Sequence, residues 1–236
     1  MAKLSELEIE DLGKEFEGKS AQEVLKWALG KFGEQVAFAS SFGAEDVVLI
    51  DLIVKINPKA KIFTLDTGRL PEETYKVWDE IEKKYHIKVE PYFPEAAAVE
   101  KMIKEHGPNL FYQSVELRRL CCKIRKVEPL HRALTGLEAW ITGLRREQAV
   151  TRTTIKKIEY DKGNDLIKIN PIADWTEKQV WDYIKGNDVP YNKLHDQGYP
   201  SIGCAPCTRA VKPGEDLRAG RWWWEEPEKK ECGLHK

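Results

Sequence analysis

Apolar residues along this chain alternate between two spacings. Short apolar runs bounded by turn residues fall at Val36-Ala37-Phe38-Ala39, Lys61-Ile62-Phe63-Thr64-Leu65, Ile87 to Phe93, Ala139-Trp140-Ile141-Thr142 and Leu166-Ile167-Lys168-Ile169, and each predicts a strand. Between them the spacing becomes helical. Val47, Val48, Leu49, Ile50, Leu52 and Ile53 are dense enough for a helix buried against a sheet. Pro71 to Lys84 predicts another, with Glu72 and Glu73 in the first turn, where unpaired amides favour carboxylates. Capping boxes mark two more: Ser20 with Glu23 opens a helix ending near Gly30, and Thr176 with Gln179 opens one through Val180, Trp181, Tyr183 and Ile184 that stops at Gly186. Leu117, Leu120, Ile124 and Val127 outline a further helix. This alternation predicts an α/β fold, an open, mostly parallel sheet with helices on both faces. Beyond Gly203 periodicity dissolves into Gly, Pro, Trp and charge, which predicts an irregular C-terminal tail over the sheet. One structural domain is expected, with residues 1–203 as the α/β body holding the first cysteine pair and 204–236 as the tail.

The length of 236 residues suits one α/β domain. Lys and Arg number 38 against 39 Asp and Glu, a net charge of −1, so no global field advertises nucleic acid or a membrane as partner. The N-terminus shows no basic segment leading into an apolar one, and no eighteen apolar residues run together, so a soluble cytoplasmic protein is expected. The five cysteines fall as an adjacent pair, Cys121 and Cys122, a C-x-x-C pair, Cys204 and Cys207, and Cys232 near the end. An odd, unevenly grouped set suits a reducing compartment and metal-binding or catalytic thiols better than a disulfide framework.

Open α/β sheets bind ligands at the carboxyl ends of their strands. Three such ends carry polar turns: Ser40-Ser41-Phe42-Gly43-Ala44-Glu45-Asp46, Leu65-Asp66-Thr67-Gly68, and Thr142-Gly143-Leu144-Arg145-Arg146. Each alone reads as an ordinary turn; three at one sheet edge point to an anion or nucleotide site. The first lacks the Gly-Lys-Ser/Thr of a phosphate-binding P-loop, which argues against ordinary triphosphate hydrolysis. Four thiolates suit tetrahedral zinc and iron–sulfur clusters alike, and ligand softness does not separate the two. Cys122 and Lys126, four residues apart, share a helix face. Taken alone, Arg125 and Lys126 read as a solvated face, the Trp222-Trp223-Trp224 run as packing, and His235 as a solvated terminus.

Together, the three loops with Arg69, Cys121-Cys122-Lys123-Ile124-Arg125-Lys126-Val127-Glu128-Pro129-Leu130, Cys204-Ala205-Pro206-Cys207 and Glu231-Cys232-Gly233-Leu234-His235 resemble the assimilatory sulfonucleotide reductases. The likeness runs from about residue 20 to the end and is nearest the iron–sulfur branch that acts on adenosine 5′-phosphosulfate (APS). The resemblance implies an adenine-nucleotide α-hydrolase-like fold of the PP-loop type. It implies a [4Fe–4S] cluster on Cys121, Cys122, Cys204 and Cys207, and thioredoxin or a glutaredoxin-like protein as reductant. Lys126, Arg152, Arg218 and Arg221 would surround the phosphosulfate; Ser40, Asp46, Leu65, Thr67 and Gly143 would hold nucleoside and phosphate, with Arg125 nearby. Cys232 would be the catalytic nucleophile, passing through an S-sulfonate, and the cluster's part would be electrostatic and structural. A homo-oligomer is compatible with all of this. Three alternatives stay open: the 3′-phosphorylated nucleotide (PAPS) as substrate, alone or beside APS; an ATP-dependent RNA-thiolating enzyme of the same fold; and a non-catalytic zinc or redox-sensing module.

Overall fold

Ser5 and Ser20 open the first two helices by one device. Each hydroxyl accepts the backbone N–H three residues on, at 3.3 Å, and the Glu there reaches back to the Ser N–H at 2.8 Å. The helices that follow are α1 (Glu6–Phe16) and α2 (Ala21–Phe32). Only the second is expected above, from its capping box, although Ser5 and Glu8 carry the same signature. The computed structural model describes residues 4–149, 152–226 and 233–234.

After α2 come β1 (Val36–Ser40), α3 (Ala44–Ile56), β2 (Lys61–Leu65), α4 (Glu72–Tyr85), β3 (Glu90–Tyr92) and α5 (Ala96–His106). Then follow α6 (Val115–Cys122), α7 (Glu128–Leu134), β4 (Ala139–Ile141), β5 (Ile158–Asp161), β6 (Leu166–Ile169) and α8 (Glu177–Gly186). The sheet has six strands in the order β3-β2-β1-β4-β6-β5. β1 pairs with β4 and β4 with β6 in parallel, whereas β5 pairs antiparallel to β6. The antiparallel edge has a local cause: the Asp161 carboxylate accepts the N–H groups of Gly163 and Asn164 at 3.1 and 3.2 Å, tightening a short turn that returns the chain on itself. β5 and α5 are not expected from periodicity, and β3 is shorter than the apolar run from Ile87.

The chain divides into two compact units: Met1–Phe63 with Thr74–Glu90 and Gly136–Asn192, and Thr64–Glu73 with Pro91–Thr135 and Lys193–Lys236. In the first, Val36, Phe38, Ala139, Ile141, Ile167 and Ile169 form one core with Val24 and Leu25 of α2, Val47 to Ile50 of α3, and Val180 and Ile184 of α8. Asp51 of α3 is buried there at 2% exposure. Its carboxylate accepts hydrogen bonds from Tyr85 and Tyr183 at 2.9 and 2.6 Å and pairs with Lys55 at 2.6 Å, which offsets the desolvation of a buried charge. In the second unit the core is small and built around sulfur: Met102, Leu110, Phe111, Cys121, Cys122, Cys207 and Trp222. Among the described residues no helix is long and apolar enough to cross a membrane.

Ile141 is fully buried in β4, so Ile141→Ala should cost about 2–5 kcal/mol. Urea denaturation checks this, and a loss under about 1 kcal/mol would contradict the packing.

Candidate active site and four-thiol chamber

The strand order turns back between β1 and β4, whose carboxyl ends flank the crevice where open α/β sheets bind ligands. From β1 the chain passes Ser40, buried at 5%, whose hydroxyl accepts the Phe42 N–H at 3.1 Å. Phe42 has φ +58°, a left-handed conformation uncommon for a bulky residue, and is fully buried with its ring stacked 5.5 Å from Trp78. This turn brings the Ser41 N–H and hydroxyl onto the Asp46 carboxylate at 2.6 and 2.7 Å, at the start of α3. From β4, Gly143 passes so close that a β-carbon there would overlap Asp46 Oδ1. Arg145, buried at 3%, pairs with Glu45 at 2.7 Å and pins the two loops together. Gln148 donates to the Gly143 carbonyl at 3.3 Å and accepts from Arg152 at 2.6 Å. Ser40, Asp46, Gly143 and Arg152 thus belong to one neighbourhood of the first unit, organised by Ser41, Glu45 and Arg145, which lie in the expected loops without a role of their own assigned there, and by Gln148, which no motif included. Asp46 stands three residues after Gly43, the N-cap of α3, and that capping-box spacing is the signal the sequence carries for it. Burial pushes the Asp46 carboxyl up from 3.8 to about 6, against the lowering effect of the Ser41 hydrogen bonds.

In the second unit Cys121, Cys122, Cys204 and Cys207 line one chamber. Arg69, Arg118, Arg125, Lys126 and Arg221 line it too, and among the described residues no carboxylate does. The adjacent pair ends α6, and Lys123–Val127 continues it as a π-helix in which the Glu128 N–H bonds the Lys123 carbonyl, one residue beyond the α spacing. Pro129 gives the reason, since it has no N–H for the Arg125 carbonyl. Cys122 and Lys126 therefore reach the same chamber through a widened turn rather than along an unbroken α-helix. Thr67 is fully buried, its hydroxyl 3.3 Å from Cys204 Sγ, and its carbonyl accepts Arg125 Nη1 at 2.6 Å. Gly203 precedes the C-x-x-C because a side chain there would overlap the Arg221 guanidinium. Leu65 closes β2 and is half-buried. Arg218 holds a turn, its N–H on Asp216 at 2.8 Å and its carbonyl accepting the Arg221 N–H at 2.9 Å, and is not among the residues lining the chamber. Cys232 lies outside the described residues.

Left as thiols, these sulfurs titrate unequally. Burial, with Cys204 and Cys122 alongside, pushes Cys207 up to about 12, and burial raises Cys121. Burial also works on Cys204, but Lys126, the Thr67 hydroxyl and Arg221 together hold it below its ordinary value. Four neighbouring thiolates repel one another; the lining cations offset part of that repulsion, and a metal bound to the sulfurs would offset it directly. The surroundings fit one: Arg125 Nε and Trp222 Nε1 are buried donors of lining residues with no hydrogen-bond partner among the described residues, as acceptors belonging to a bound group would explain. Among the described residues, no three His, Cys, Asp or Glu side chains are grouped to hold a single metal ion.

Residues 35–210 match the family model of the phosphoadenosine phosphosulfate reductase domain. The chain is 54% identical over 203 residues to the adenosine 5′-phosphosulfate reductase of Allochromatium vinosum, covering 86% of this chain and 79% of that protein. It is 47% identical to the chloroplastic 5′-adenylylsulfate reductase 3 of Arabidopsis thaliana, over 99% of this chain and 53% of that one. Among solved structures it resembles a phosphoadenylyl-sulfate reductase from Candida auris in its phosphate complex, with a TM-score of 0.77 and 33% identity over 89% of this chain and 99% of that one. The Candida glabrata FMN adenylyltransferase, at 15% identity and TM-score 0.56 over 97% and 85% of the two chains, shares the fold alone.

The raised Asp46 carboxyl generates a pH prediction. Between about pH 4 and about pH 6 the native state binds more protons than the unfolded chain, so stability falls as pH rises through this window. The loss, up to roughly 3 kcal/mol, persists above it. Asp46→Asn should flatten that slope in urea titrations, and an unchanged slope would show that Asp46 does not titrate there.

Proposed function

This chain belongs to the phosphoadenosine phosphosulfate reductase family, and we infer from that membership that it reduces APS to sulfite and AMP in assimilatory sulfate reduction. It is an oxidoreductase acting on a sulfur group. The observation that carries the reading is the chamber that places four cysteines among five cations, beside relatives above 50% identity whose names specify APS. Cys121, Cys122, Cys204 and Cys207 would hold a [4Fe–4S] cluster, whose charge and four-point attachment supply electrostatic and structural support when bound. Thioredoxin, or another dithiol protein, is the proposed reductant, and a reducing compartment such as the cytoplasm is the proposed location.

The chain's own groups then have assignable work. The phosphosulfate brings two negative charges out of water, which requires cations and directed hydrogen bonds. Lys126, Arg152, Arg218 and Arg221 are proposed for that group; Ser40, Asp46, Leu65, Thr67 and Gly143 for nucleoside and phosphate, with Arg125 nearby. The Cys232 thiolate attacks the substrate sulfur, the bond from sulfur to the phosphate oxygen breaks, and AMP leaves with the electron pair, giving a Cys232 S-sulfonate. A thiolate of the dithiol protein next attacks the Cys232 sulfur and expels sulfite. Its second thiol resolves the mixed disulfide, so two thiols are oxidised as the sulfonyl sulfur is reduced and Cys232 is restored.

Anaerobically purified protein should carry iron and sulfide, and should release sulfite from APS with reduced thioredoxin at least tenfold faster than from the 3′-phosphorylated nucleotide. Equal or reversed rates would favour PAPS or dual use, and sulfite from neither would end the reading. Cys232→Ser should keep nucleotide binding and visible colour while losing both turnover and the sulfonyl adduct seen by mass spectrometry. Turnover by that variant would overturn the covalent route.

A further inference from the structure

Arg118 lies one turn before the adjacent cysteines on α6 and is fully buried. Nε and Nη2 donate to the two Glu225 oxygens at 2.8 and 2.6 Å, a bidentate pair whose side chains are 0% and 2% exposed. Its guanidinium also lies 4.8 Å from the centroid of the Trp222 ring, which the Arg221 guanidinium approaches to 4.7 Å. The Trp222 N–H meanwhile bonds the Cys207 carbonyl at 3.2 Å, and Trp222 has φ +40°, a backbone conformation that bulky residues rarely keep without support.

These contacts form a closed circuit. α6 carries Cys121 and Cys122; Arg118 on the same helix grips Glu225; and the turn ending at Glu225, whose N–H bonds the Trp222 carbonyl at 2.8 Å, presses Trp222 onto Cys207. The two cysteine pairs lie far apart in sequence, and this clamp ties the segment packed against one pair to the helix that carries the other. A pair this deeply desolvated is a poor device for stability alone, because apolar residues of similar volume often serve as well. Its directionality is what an apolar substitute lacks.

We propose that Arg118 is a positioning residue: through Glu225 and Trp222 it closes the wall of the four-thiol chamber and sets how slowly a bound metal group is lost. The proposal rests on the cluster assigned above. Occupancy and clamp are reciprocally linked, so loosening the clamp weakens retention of the group.

The test uses anaerobically purified, metal-loaded protein and a chromogenic iron chelator, with release followed below each variant's own unfolding midpoint. Arg118→Lys keeps the charge and loses the fork, and Glu225→Gln keeps one acceptor and loses the charge. Each should speed iron release at least tenfold. The double variant should release no faster than about the faster single, as members of one clamp do. Glu225→Asp, which keeps the carboxylate, should recover part of the slow release and serves if the other variants fail to fold. Tyr85→Phe, which removes a hydrogen bond from Asp51 in the other unit, is the control for general destabilisation and should leave release unchanged. Release within twofold of the parent in the Arg118 and Glu225 variants overturns the clamp, as does equal acceleration by Tyr85→Phe. A parent purified without iron and sulfide overturns the cluster assignment and the clamp with it, whereas a loaded parent with insensitive variants overturns the clamp alone.

Discussion

Putting four cysteine sulfurs and five cationic side chains around one chamber is the constraint that shapes the second unit. Buried thiols next to one another resist ionising together, as the upward displacement of Cys207 shows, and buried cations without counter-charge are equally costly. The chain answers each cost locally. Thr67 offers its hydroxyl to Cys204 and its carbonyl to Arg125, Glu225 neutralises Arg118, and Gly203 clears space for Arg221. A metal group held there by four thiolates would be a net anion, which the lining arginines and Lys126 would offset.

The first unit solves a different problem. Its crevice is defined by two loops that approach closely enough to exclude a side chain at Gly143, and the Ser41–Asp46 and Arg145–Glu45 contacts hold that approach. The left-handed Phe42 turns the chain between β1 and α3 so that Ser41 meets the Asp46 carboxylate. Fixing these groups before a ligand arrives lowers the ordering cost at binding.

Much of the fold was legible in residue patterns. Strands β1, β2, β4 and β6 are short apolar runs, and α2 and α8 begin at capping boxes, because burial on both faces of a parallel sheet and capped helix starts both leave local signatures. α1 was missed although Ser5 and Glu8 signal it, since its apolar stripe is thin. β5 was missed although Ile-Glu-Tyr-Asp alternates apolar and polar residues, because four residues are a short signal, and its pairing depends on a turn shaped by Asp161.

For the site, the cysteine grouping suggested a metal-sized set of thiols, and the combined motifs indicated a sulfonucleotide reductase, whereas Arg125 and Lys126 taken alone read as a solvated face. Those are statements about residue identity and spacing, which a linear chain carries in full. Folding alone decided that Lys123–Val127 widens into a π-helix ahead of Pro129, that Asp46 fills the space beside Gly143, and that Arg118 meets Glu225. Each of these joins groups through space, and a contact between residues distant in sequence exists only once the packing between them has set its geometry.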